Sequence, residues 1–76
     1  MIITSAQKEQ LESLLPKDYR QIIVKRLKKK HINVHPNTVS NALNGSDNET
    51  VAAEIIKLYL EIKASRDKLQ SMMKQL

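Results

Sequence analysis

Cysteine, tryptophan and phenylalanine are absent from these 76 residues, and glycine occurs once. Without cysteine there is no disulfide framework, no zinc–thiolate site and no thiol nucleophile. The same lack fits a reducing compartment, so the cytoplasm is the expected location. No uninterrupted apolar run exceeds three residues, as in Ile22-Ile23-Val24, whereas a membrane span needs roughly 20. Met1-Ile2-Ile3-Thr4 has neither the basic start nor the long apolar stretch of a signal peptide. No membrane partner is therefore expected. Two histidines and a mainly aliphatic core offer little from which to build a shaped catalytic pocket. The chain reads as a non-enzyme with no cofactor and no small-molecule substrate. His31 and His35 stand four apart, but Asn33 and Pro36 oppose the continuous helix that would make them a metal pair, so no metal site is expected. The length allows one small domain, for which self-association is a natural source of extra stability.

What the chain does have is a concentration of positive charge. Lys17, Arg20, Lys25, Arg26, Lys28, Lys29 and Lys30 lie within fourteen residues, against the single acid Asp18. The remaining residues carry six bases and seven acids and are close to neutral. One basic block on a neutral body makes a local field suited to phosphates; a merely solvated helix face is the bland alternative.

Four helices and no strand are predicted, giving an all-α fold. The first begins after Thr4 or Ser5, where Thr4 and Gln7 have the spacing of a capping box. It presents Ala6, Leu11, Leu14 and Leu15 and is ended by Pro16. The second starts with Asp18 as its cap, buries Ile23 and Leu27, and ends in Lys28-Lys29-Lys30. Residues 31–35 form a connector that tucks Ile32 and Val34 inward. The third opens at Pro36 with His35 at the cap, packs Val39, Ala42 and Leu43, and stops at Gly45. The fourth begins at Ser46 or Asp47, with Ser46 and Glu49 as a second capping box, and runs to the last residue.

The third helix is unusual in its outward residues. Asn37, Thr38, Ser40, Asn41 and Asn44 are mediocre helix formers, and a helix meant only for solubility uses Glu, Lys and Gln. Short amides and hydroxyls can read base edges and hold phosphates, and a helix start favours an anion. With a basic helix immediately upstream, the pattern predicts a helix-turn-helix that inserts helix 36–44 into the DNA major groove. Asn37, Thr38 and Asn41 are the expected base contacts. Lys25, Lys28, Lys29 and Lys30 are the expected phosphate contacts.

The segment Val34-His35-Pro36-Asn37-Thr38-Val39-Ser40-Asn41-Ala42-Leu43-Asn44-Gly45 resembles the recognition helix of lactose-repressor-type DNA-binding domains, which carry V-S-x-x-T-V-S-R-x-L-N there. The match rests on Val34, Thr38-Val39-Ser40, Leu43 and Asn44-Gly45. The resemblance implies a base-reading role for Pro36, Asn37 and Asn41 and a phosphate role for His35, Thr38, Ser40 and Asn44. Asn41 stands where the family has arginine and Pro36 offers no polar group, so a different preferred sequence is implied. Lys-Lys-Lys-His-Ile-Asn replaces a tight Ala-Gly turn. The length leaves no room for a sugar-binding domain, so the expectation is a small stand-alone regulator of phage or mobile-element type.

The last helix carries a second pattern. Val51, Ile55, Leu58, Ile62, Ser65, Leu69, Met72 and Leu76 are spaced alternately by four and three, a heptad seam broken only at Ser65. Residues 1–60 are expected to form the DNA-binding domain. Residues 61–76 are expected to form a dimerisation segment through Ile62, Leu69, Met72 and Leu76, because dimers match paired half-sites. Fold-back of this segment onto the first helix and fraying are the alternatives. A protein-interaction module or inhibitor that uses the seam, with the basic block incidental, is the competing function.

Overall fold

The computed structural model describes residues 2–76 and is all-helical: α1 (Ser5–Glu12), α2 (Tyr19–Lys29), α3 (Pro36–Leu43) and a long α4 (Glu49–Met73). Met1 lies outside the described residues. Helices α2, α3 and α4 pack against one another. Their shared interior holds Ile23, Leu27, Val39, Val51 and Ile55, with Ala42, Leu43, Ala52, Leu58 and Tyr59 around them. Helix α1 contributes Leu11, the preceding segment contributes Ile3, and Gln10 Nε2 donates to the Tyr59 hydroxyl at 3.0 Å, tying α1 to α4.

Helix α1 starts as expected. The Gln7 N–H donates to Thr4 Oγ1 (3.2 Å) and the Thr4 N–H to Gln7 Oε1 (3.0 Å), a closed capping box. It stops at Glu12, short of Pro16: Leu14 and Leu15 both turn back to the Leu11 carbonyl and are half-buried outside the helix. Ala6, expected on the apolar side, is exposed. Asp18 holds the cap position of α2 without making a cap bond. Its backbone (φ −96°, ψ 21°) is not extended, and the extended conformation is what aims a capping carboxylate at the first turn.

Helices α2 and α3 end in the same way. At α3 the Ser46 N–H donates to the Asn41 carbonyl (3.0 Å) and the Gly45 N–H to Ala42 (3.1 Å), with Gly45 left-handed at φ 103°. At α2 the Ile32 N–H donates to Leu27 (2.9 Å) and the His31 N–H to Lys28 (3.0 Å), with His31 at φ 63°. Both are Schellman closures, and at the end of α2 a histidine stands where glycine is the cheaper residue. The Ser46 amide is taken up in this closure. Helix α4 consequently begins later than expected, with Asn48 as its cap: the Val51 N–H donates to Asn48 Oδ1 at 3.1 Å.

One acid lies among these helices. Glu54, on α4, is buried and accepts from Lys30 Nζ, with Lys57 Nζ at 3.8 Å. The Lys30 hydrogen bond holds its carboxyl below the ordinary glutamate value, against the opposing push of burial, and the charges of Lys30, Lys57 and Arg26 add to the lowering. A depressed carboxylate pKa stabilises the fold above the unfolded value, and that contribution disappears as pH falls through the folded value. Urea midpoints should therefore separate wild type from Glu54→Gln at neutral pH. The two should converge as pH drops below about the ordinary glutamate value of 4.5. A constant separation down to strongly acid pH would contradict the assignment.

Candidate nucleic-acid interface

Helix α3 has one buried side and one open side. Val39, Ala42 and Leu43 are buried, whereas Asn37, Asn41 and Asn44 are exposed. At 3.6 residues per turn, positions i, i+4 and i+7 stack into a single row, so three asparagine side chains line the open side. Thr38 and Ser40 flank the row and are half-buried. Of the three expected base contacts, Asn37 and Asn41 thus share the outward row and Thr38 borders it. Asn44 lies on the row itself, at the helix C-cap.

The start of the helix is held by its own residues. Pro36 occupies the first turn, where its missing N–H costs nothing, and the Asn37 N–H donates to His35 Nδ1 at 3.1 Å. Accepting at Nδ1 puts the proton of the neutral ring on Nε2. His35, exposed at the entrance to α3, therefore presents a donor suited to an anion.

The two ends of α3 open onto surface grooves with cations in their walls. Beside Pro36 the groove is lined by Lys17, Asp18, Arg20 and Gln21. At the far end, Leu43 and Asn44 share a groove with Ile3, Thr4, Ser5 and Lys8. The expected lysines divide differently. Lys29 and Lys30 line a separate groove with Arg26, Glu54, Lys57 and Glu61 against α4. There Lys30 pairs with Glu54, and Arg26 Nη2 lies 2.6 Å from Glu61 Oε2. Lys25, Lys28 and Lys29 are exposed, and among the described residues no ion pair engages them. The basic block is thus split by position: Arg26 and Lys30 pair with acids of α4, while Lys17 and Arg20 stand beside the start of α3. These last two and Lys8 were not among the expected contacts. Lys17 and Arg20 belong to the charge cluster visible in the sequence, but which cations stand beside α3 depends on how the helices pack.

The heptad seam also divides. Val51, Ile55 and Leu58 are buried and Ile62 is half-buried. Every residue from Lys63 onward is exposed, including Leu69 and Met72 at 57% and Leu76 at 105%. The outer part of α4 does not fold back onto α1.

Among the described residues, no helix is long and apolar enough to cross a membrane. No group of three or more His, Asp or Glu side chains there is arranged to hold a metal ion. No protein-family model matches the chain, and neither curated proteins nor solved structures show a significant similarity to it.

Proposed function

We propose that this protein is a sequence-specific DNA-binding regulator of the helix-turn-helix kind, acting as a homodimer, with α3 entering the major groove. The observation that carries the reading is the outward row Asn37, Asn41 and Asn44 on a short helix with cationic grooves at both ends. Asparagine can pair bidentately with adenine through its amide. His35, Ser40, Lys17, Arg20 and Lys8 surround that row with donors for phosphate oxygens, which position a protein on duplex without specifying sequence. The resemblance of residues 34–45 to lactose-repressor-type recognition helices supports the same reading. Lys25, Lys28 and Lys29 add to the attraction at longer range, whereas the role of Lys30 is structural. The activity is binding alone, with no reaction and no cofactor.

The test is titration of the purified protein onto random-sequence duplex by fluorescence anisotropy at two salt concentrations, followed by site selection. Binding should weaken steeply with salt, because neutralised phosphates release counterions. At the selected site Asn41→Ala should cost about 1–3 kcal/mol and relax the preference at one base pair, leaving random-sequence affinity nearly unchanged. No binding at low salt would sink the reading. The exposed seam would then be the functional surface of a protein-interaction module.

A further inference from the structure

The outer half of α4 and the turn after it expose an apolar stripe that nothing among the described residues covers. Leu69, Met72, Met73 and Leu76 are each more than half exposed. Leu69, Met72 and Leu76 follow in the same heptad register as Ile55, Leu58 and Ile62, which the domain itself buries wholly or in part, and Met73 flanks them. With Ile62, Leu69 and Leu76 at the a positions, Ser65 and Met72 fall at d. Glu61 and Lys68 then fall at g, and Arg66 and Met73 at e. The flanking charges choose between the two ways in which a second copy can lie along this seam.

In a parallel pair, each g residue meets the following e residue of the other helix. Glu61 then faces Arg66 of the second copy, and symmetry gives this opposite-charge pair twice. Lys68 meets Met73, whose flexible apolar chain can lie under the lysine stem. In an antiparallel pair over the same residues, g meets g and e meets e. Depending on which a and d layers pair, Lys68 would face Lys68 and Arg66 would face Arg66, two like-charge contacts, or Lys68 would face Gln75 and Arg66 would face Met73; in neither arrangement does Glu61 meet a cation. Exposed pairs are individually weak, so the apolar stripe supplies the association and the charges select its direction. Glu61 already carries Arg26 on its own chain and is more than half exposed there, which leaves a carboxylate oxygen for a second cation.

We infer that two copies join through residues 62–73 of α4 as a parallel, in-register coiled coil with Ile62, Leu69 and Met72 in its seam and Leu76, just past the helix end, closing it. The inference rests on the homodimer in the proposed function and adds its direction and register. Both domains then emerge from the same end of the coil, with their α3 helices related by a two-fold axis along it.

The absence of cysteine makes the direction directly measurable. Ser65→Cys and Met72→Cys are made singly in the full chain, oxidised without DNA, and compared on non-reducing gels with the same variants in urea. Both positions are exposed, so neither change disturbs the core. A parallel in-register pair brings each cysteine against its own copy, and both variants should cross-link well above the urea control. An antiparallel pair can bring at most one of the two positions near its crossing point, so cross-linking of one alone, or of neither in a chain that still sediments at twice the monomer mass, overturns the direction while leaving the homodimer in place. Cross-linking of neither, together with a monomeric mass in sedimentation across a dilution series, overturns both. Leu69→Glu should convert the native chain from twice the monomer mass to the monomer mass while leaving the cooperative melting step of the buried interior in place. None of these readouts involves DNA, so their failure is separate from failure of the DNA reading.

Discussion

Replacing Ile55 with alanine should remove about 2–5 kcal/mol of stability, the cost of cutting a fully buried isoleucine and leaving part of its volume empty. Ile55 is 0% exposed and sits on α4 within the interior shared with α2 and α3. A domain of this size has roughly 5–15 kcal/mol in total at best. Each kcal/mol moves Tm by about 4–8 °C for a domain of 60–100 residues. The variant should therefore melt about 8–40 °C lower, and at the upper end be partly unfolded at room temperature. Leu60, on the same helix but 54% exposed, is the control: its alanine variant should stay within about 0.5 kcal/mol of wild type. Thermal melts of both, followed at 222 nm, make the comparison. Equal effects would mean that the interior is not organised around the inner half of α4.

The second large effect concerns charge beside α3. The double variant Lys17→Ala/Arg20→Ala removes the two cations of the groove next to Pro36. If both hold phosphates, the slope of log affinity against log salt should flatten by about 2, roughly one per lost contact, and binding should weaken on every duplex sequence. The comparison variant is Lys30→Ala. Its ammonium belongs to Glu54, so its loss should appear mainly in folding stability, because a buried carboxylate loses its closest partner. Anisotropy titrations and urea unfolding of both variants separate the two roles. A flattened slope for Lys30→Ala, with none for the double variant, would reverse the division of the basic block.

Much of this architecture is local and could be read along the chain. The Thr4–Gln7 box, Pro36 behind a capping His35, and Gly45 past the end of α3 each depend on a few neighbouring residues, and the structure carries all three. The apolar spacing likewise picked out Ile23, Leu27, Val39, Ala42, Leu43, Val51, Ile55 and Leu58, all of them buried. What escaped depends on competition or on distance. Ser46 looks like a cap, but its amide closes α3 instead, and α4 starts at Asn48. Asp18 has the right chemistry for a cap and the wrong backbone angles. His31 takes a left-handed conformation that no rule of composition assigns to histidine. Nothing local marks Glu54 as a buried acid, because its partner Lys30 lies 24 residues away. The row of three asparagines could be seen from helical spacing once α3 was placed, whereas the neighbourhood of Lys17, Arg20 and Lys8 needed the packed helices.

The length of α4 has a further consequence, for how the molecule melts. The eleven residues from Lys63 to Met73 are helical but have no buried side chain. A free helix of that length is marginal in water, so this stretch is held mainly by propagation from the packed half. On warming, helix is lost gradually from the outer end before the interior gives way in one step. The far-ultraviolet signal then slopes well below the main transition. If two copies pair along this stretch as inferred above, dilution steepens that slope while a probe of the interior registers no change until the step itself.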